Sequence, residues 1–173
     1  CRGLILDKDF NVVSRSFDRF FNLGEMPQTQ THIDITKCVA HEKLDGSLIK
    51  IYFWNGEWRI STRGTAFAES EVMGFPITFR ELVLSALRVG PRLMDDKDFQ
   101  KELGGEFNED FTYIFEITSP KNRCVVRYPE AKLYFLGARD NTTGEIFSEG
   151  ILVDAFDWYN IGVPKKFAFN TFQ

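Results

Sequence analysis

The stretch 41-HEKLDGSLIK-50, followed by 61-STRGT-65, decides how this chain is read. Lys43 sits two residues before an Asp-Gly pair, between two apolar segments, with Arg63 isolated a short way downstream. A surface lysine needs no such setting. A nucleophilic lysine does, because its amine must be neutral to attack, and burial or neighbouring cations lower its pKa from about 10.4. The end of a strand beneath sheets offers such a place, and Gly46 lets backbone approach a ligand closely. A plain alternative stands beside this one: a strand-end lysine before an Asp-Gly turn is common in β proteins. The tetrad alone leaves both open, so the surrounding chain has to choose.

Around the tetrad the chain reads as strand-rich with a few helices. KCVAHEKL and SLIKIYFW lead into and out of it, and Asn55-Gly56 is a two-residue hairpin signal that returns EWRIST alongside SLIKIYFW. Upstream, RGLILD and NVVSR, separated by DKDF, predict an opening hairpin. Downstream, Leu82, Val83, Ala86 and Leu87 form one apolar stripe, which predicts a helix over 79–89 ended by Gly90-Pro91. A short polar helix is predicted over 95–103, closed by Gly104-Gly105. FTYIFEIT, RCVVRY and KLYFLGAR predict further strands, and the NTTG turn leads into EIF. Ile151, Leu152, Ala155, Phe156 and Tyr159 recur at helical spacing and predict an amphipathic helix over 149–159. With no repeat, low-complexity tract or linker, the expectation is one α+β domain over residues 1–173, built on antiparallel sheet.

Composition bounds the partners. A chain of 173 residues can hold a substantial core, and 18 Phe is a heavy aromatic load. No apolar run approaches the roughly 20 residues of a membrane span, so no membrane partner is expected. Cys1, Cys38 and Cys124 are far apart and show no metal-ligand spacing; with His32 and His41 also unclustered, reduced thiols, a cytoplasmic setting and no zinc are expected. The net charge of −4 hides an uneven distribution. Seven acids and two lysines lie between Asp95 and Asp110, whereas four basic residues (Lys121, Arg123, Arg127, Lys132) and one acid lie between Ser119 and Lys132. Arg2, Arg15 and Arg19 add a second basic group. Ordinary solvated faces would look like this, and so would a polyanion site confined to one groove.

Taken in order, the segments resemble those of the covalent nucleotidyltransferases, and among them the ATP-dependent RNA ligases of the T4 RNA ligase type. CRGLILD resembles the family's Arg-Gly segment and FDRFFNLGE its Phe-x-basic-Phe-Phe-Asn element. EKLDGSL matches the nucleophile motif and STRGT the arginine motif that follows it. YIFEIT and LYFLGARDNTTGE match the glutamate motif and the aromatic motif beyond it. The resemblance spans nearly the whole chain, and the ordered set is far more specific than any one member.

The resemblance implies a ligase adenylation-domain fold and three-step chemistry. Lys43 attacks the α-phosphate of ATP with Mg²⁺ (or Mn²⁺) assistance and holds AMP as a phosphoramidate. AMP then passes to an RNA 5′-phosphate, and a 3′-hydroxyl displaces it to seal the strand. The same resemblance assigns Glu42 to the adenine edge, Arg63 to the ribose and phosphate region, and Glu116 to the ribose or to the metal, directly or through water. Phe135 is its candidate for stacking on adenine, with Tyr134 as the neighbouring alternative. Arg2 and Arg19 would face the triphosphate, although the resemblance leads one to expect lysine at position 19, and arginine keeps the charge but differs in geometry. A monomer acting on RNA with 5′-phosphate and 3′-hydroxyl ends is implied, in the cytoplasm, or the host cytoplasm if the source is viral.

Two further family motifs, a Glu-Gly strand and a Lys-x-Lys pair, have only imitations here. Glu149-Gly150 opens a segment of helical periodicity, where an acid suits the helix dipole, and Lys165-Lys166 is not spaced as Lys-x-Lys. With an abrupt start at CRGLILD and an end on NTFQ, the expectation is a piece of a longer protein, weakly active or inactive by itself. A DNA ligase or a capping guanylyltransferase shares Lys-x-Asp-Gly, but the FFN element and GARDNTTGE argue against both. A degenerate, non-catalytic ligase-like fold is the remaining alternative.

Overall fold

The computed structural model describes residues 3–22, 25, 38–147 and 159–167, and within them the chain is sheet-rich α+β with mainly antiparallel pairing. The opening hairpin forms as predicted, β1 (Ile5–Leu6) pairing with β2 (Val12–Ser14). Strand β3 (Ala40–His41) then leads into the tetrad, and β4 (Ser47–Trp54) leaves it. Asn55 and Gly56 both take positive φ, 55° and 80°, which turns the chain tightly into β5 (Glu57–Thr62).

Helix α1 (Phe79–Ala86) starts on Thr78, whose side chain caps the Glu81 N–H while Glu81 reaches back to the Thr78 N–H. It ends earlier than the stripe predicts. Val89 belongs instead to β6 (Arg88–Val89), which folds back on β7 (Arg92–Leu93) around Gly90. Helix α2 (Asp96–Glu106) runs through Gly104-Gly105 rather than stopping there, and buries Phe99 and Leu103. Strands β8 (Phe111–Thr118), β9 (Lys132–Asp140) and β10 (Ile146–Phe147) follow, then β11 (Ile161–Gly162) and β12 (Lys166–Phe167). The helix expected over 149–159 falls on residues outside the described set, apart from Tyr159.

The central sheet has the order β10-β9-β8-β4-β5, with β11 added parallel to β9. Direct partners share a face, so the register sorts the side chains. Ile49, Phe115 and Phe135 align on one face, with Ile51, Ile60, Ile117 and Leu133, and pack with Leu82, Val83, Phe99 and Leu103 of the helices into the core. Leu48, Glu116 and Tyr134 align on the other face, as do Lys50, Ile114 and Ser61. A bulge between Ile114 and Phe115, where the partner jumps from Gly137 to Phe135, keeps that alternation aligned across β9.

RCVVRY, read as a strand, is not one. Its Val125 and Val126 N–H groups are taken by the Asp45 carboxylate, both at 2.6 Å, rather than by a neighbouring strand. Apolar β-branched residues signal a strand only where another backbone accepts the ladder.

Candidate active site

The turn after Lys43 is fixed by contact with β8. A Cβ on Gly46 would stand 2.2 Å from the Ile117 carbonyl oxygen and 3.2 Å from Glu116 Cγ, so only glycine lets this backbone lie there. In that position the Gly46 N–H bonds the Glu116 carboxylate. Upstream, the Glu42 N–H donates to the Lys165 carbonyl at 2.8 Å, and β3 pairs with β12. The Lys43 segment is thus held at both ends.

Glu116 is half-buried on a strand whose neighbours are apolar. Burial pushes its pKa up to about 7, the Asp45 charge adds to the rise, and the Gly46 bond and the Lys43 charge pull it back. Lys43, Asp45, Gly46 and Glu116 therefore form one electrostatic group. Among the described residues no three His, Cys, Asp or Glu cluster as a metal set. Magnesium, however, needs only one or two carboxylates beside waters and substrate phosphates. A half-buried carboxylate with another anion beside it is a position that a cation would relieve, so Glu116 fits such an ion.

The sequence predicts that burial or neighbouring cations prepare Lys43, and on burial the structure differs. Lys43 is exposed, two residues beyond the end of β3. The buried lysine is Lys50, fully enclosed on β4, where burial lowers its pKa to about 8. Its Nζ donates to the Gly3 carbonyl and to Ser14 Oγ (3.0 Å), and Ser14 is tied through Thr112 Oγ1 (3.2 Å) to Asn141 (2.7 Å). Nothing in the sequence marks Lys50; the signal is only that a charged residue interrupts the apolar run LIKIYF.

Of the two aromatics, Phe135 turns away from Glu116. It is 3% exposed and packs edge-on against Phe115 at 5.5 Å, within the core. Tyr134 stands directly opposite Glu116 on the site face. Its ring lies against Gly162, where a Cβ would come within 2.8 Å of the ring, and Lys132 Nζ is 5.7 Å from its centroid. Burial raises the Tyr134 pKa, and the charge of Glu42 raises it further, which places Glu42 near this ring.

Of the three candidate arginines, Arg63 and Arg19 fall on described residues. Thr62 Oγ1 accepts from the Gly64 and Thr65 N–H groups (3.2 and 3.1 Å), making the tight turn that displays exposed Arg63. A Cβ on Gly3 would lie 3.9 Å from Arg63 Cα and 3.4 Å from Lys50 Cε, so the opening segment abuts the arginine motif. Arg19 is exposed, paired with Glu25 (3.2 Å), and 4.7 Å from the Phe21 ring centroid. Its segment is anchored by buried Arg139, which donates to the Ser16 carbonyl (2.7 Å) and to Asp18 (3.0 Å). Arg2 lies outside the described residues.

The sequence marks Asp45 only as a turn former. Besides accepting from Val125 and Val126, which hold its pKa below the usual carboxylate range, it donates its own N–H to Tyr128 Oη (3.0 Å). The turn after Lys43 and the loop after β8 are one unit.

A lysine turn seated on a strand carboxylate, with an aromatic opposite, forms the candidate site, and comparison with known proteins gives the family. The family model described as RNA ligase, of the T4 type, matches residues 1–169. The chain is 43% identical over 157 residues to a putative bifunctional polynucleotide kinase/RNA ligase of Autographa californica nuclear polyhedrosis virus, covering 85% of this chain and 22% of that protein. It is 28% identical over 169 residues to an RNA ligase of Rhodothermus phage RM378 (80% of this chain, 36% of the relative). A putative RNA ligase of Thermovibrio ammonificans is 32% identical over 150 residues (86% and 36%). This chain belongs to the RNA ligase family. It spans between about a fifth and about a third of the length of these relatives.

Proposed function

We propose that this chain is the nucleotidyltransferase part of an ATP-dependent RNA ligase and that Lys43 carries the covalent intermediate. The observation that carries the reading is the seating of the Asp45-Gly46 turn on Glu116, which brings the Lys43 charge within reach of that carboxylate. Lys43 Nζ attacks the α-phosphorus, a P–N bond forms, the bond to the pyrophosphate oxygen breaks, and the amine proton is released. The lysyl-AMP then gives its adenylyl group to an RNA 5′-phosphate, and attack by a 3′-hydroxyl joins the ends and frees AMP. Exposure of Lys43 suits both steps, since ATP and then the RNA end must reach the same nitrogen.

Tyr134, rather than Phe135, is the ring offered to adenine, with Glu42 beside it for the base edge. Arg63 and the opening segment supply positive charge for the phosphates, which matters most as charge moves onto the leaving pyrophosphate. Glu116 would hold a magnesium ion, directly or through water, which would supply charge neutralisation there. The test is mass spectrometry of the protein after incubation with ATP and Mg²⁺. An adduct of AMP mass on Lys43, absent in Lys43→Ala and not formed from GTP, supports the reading. No adduct in the natural full-length protein sinks it.

A further inference from the structure

We infer that the loop over residues 119–128 is a seat for single-stranded RNA, holding the ribose-phosphate backbone next to the reacting end. This rests on the ligase reading above, but on different observations. The loop is pinned along its whole length. Asn122 Nδ2 donates to the Ile117 carbonyl (2.8 Å) and to Ser47 Oγ (3.3 Å), Asp45 takes the two valine N–H groups, and Tyr128 accepts from Asp45. What this rigid backbone displays is unusual for a surface loop. Lys121, Arg123 and Arg127 are exposed, with no acid within the loop, and between them Val125 is 75% and Val126 47% exposed.

Exposed valines add nothing to the core. They do offer apolar contact to whatever lies along the loop. Next to Lys121 the pattern continues: its Nζ is 5.9 Å from the centroid of Phe75, itself 39% exposed, and Met73, two residues before Phe75 in the chain, is 93% exposed. Cations alternating with flat and apolar side chains match a single nucleic-acid strand, whose phosphates meet the cations and whose bases and riboses meet the rest. Because Asp45 joins this loop to the Lys43 turn, a strand lying along it is held within one turn of the nucleophile. An acidic peptide would satisfy the cations but would leave the valines, Phe75 and Met73 without a role.

The experiment uses the natural full-length protein and Lys121→Glu/Arg127→Glu, with Lys121→Ala/Arg127→Ala as the gentler pair. Binding of a short 5′-phosphorylated RNA is followed by fluorescence anisotropy across a salt series, and AMP adduct formation is followed with ATP alone. The expected result is roughly 10-fold weaker RNA binding in the charge-reversed pair, and a log-log salt slope shallower by about 1.4, for two lost phosphate contacts on a single strand. Sealing assays that vary the donor or the acceptor strand separately identify which strand lies on the loop. Unchanged affinity and slope would overturn the inference, and so would parallel loss of the adduct, because the loop would then serve the nucleotide site. Equal weakening toward polyglutamate would also overturn it, in favour of a general polyanion surface. If the wild-type protein forms no adduct but RNA binding still weakens in the variants, the ligase reading fails and the RNA seat stands.

Discussion

On one face of the central sheet Ile49, Ile51, Phe115, Ile117, Leu133 and Phe135 pack into an apolar core; on the other, the adjacent residues of the same strands are Lys50, Thr112, Glu116, Tyr134 and Arg139. Both faces are largely enclosed. Lys50 and Thr112 are 0% exposed and Arg139 is 3% exposed, because the segment from Gly3 to Asp18 lies over them and supplies their partners. The difference is in what enclosure demands. An apolar face needs only volume, whereas a polar one needs a partner for each group. Where the polar face reaches the tetrad, Glu116 has the Gly46 N–H and the Lys43 charge, yet burial and the Asp45 charge still hold its pKa up at about 7.

The largest expected effect is at Lys43. Lys43→Ala should abolish AMP adduct formation, read by intact mass, and leave the thermal midpoint of unfolding unchanged because the side chain is exposed. A melting point that fell with the adduct would mean that Lys43 is a structural residue.

The adjacent pair Tyr134 and Phe135 sharpens the comparison. Phe135→Ala removes a buried ring from the core and should cost about 3–5 kcal/mol in denaturant unfolding. Tyr134→Ala should cost far less stability but raise the KM for ATP roughly 10-fold, as the loss of one base-stacking partner does. Reversed results would return the adenine to Phe135 and remove Tyr134 from the site.

Much of the fold was legible because alternation and turn chemistry are local. SLIKIYFW, Asn55-Gly56 and EWRIST gave the central hairpin, and the apolar stripe of Leu82, Val83, Ala86 and Leu87 gave α1 from Phe79. Long-range contacts were not legible. RCVVRY reads as a strand until Asp45, some 80 residues earlier, takes its N–H groups. Helix α2 passes through two glycines whose Cβ positions meet nothing, so no packing stops it there. For the candidate site, motif order proposed the tetrad and Glu116, which the structure brings into contact, but motif order cannot say which way a strand faces. The choice between Tyr134 and Phe135 needed the bulge in β9, and the burial of Lys50 needed the opening hairpin above it.

Glu116 provides a pH test of the polar face. Its pKa is raised from 4.5 to about 7, first by burial, so the folded protein holds a proton that the unfolded chain gives up within that window. The cost of the buried charge is absent below the unfolded value and fully present above the folded one, so stability falls as pH rises from 4.5 to about 7. Glu116→Gln cannot titrate and should gain on the wild type by roughly 1–2 kcal/mol across that window, with solvent screening of the half-buried group included. A constant gap in urea melts across the window would show that the carboxylate is solvated and not confined.

Lys50 should give the smallest change, and of the opposite sign. Burial lowers its pKa from 10.5 to about 8, so over that window the unfolded chain holds a proton that the folded one lacks, and stability rises with pH. Below about 8 the whole cost of enclosing the ammonium is present, offset by its bonds to the Gly3 carbonyl and Ser14. Lys50→Met loses those bonds at every pH but carries no charge to desolvate. The wild type should therefore gain about 1 kcal/mol on Lys50→Met between pH of about 7.5 and about 9, read as the difference between paired urea melts so that other titrating groups cancel. At the lower pH the two proteins should be close in stability, because removing a buried charge compensates for orphaning its acceptors. A gap that stayed fixed with pH would show that Lys50 remains charged and hydrated, and the hairpin would then not be the tight cover over the polar face that its hydrogen bonds describe.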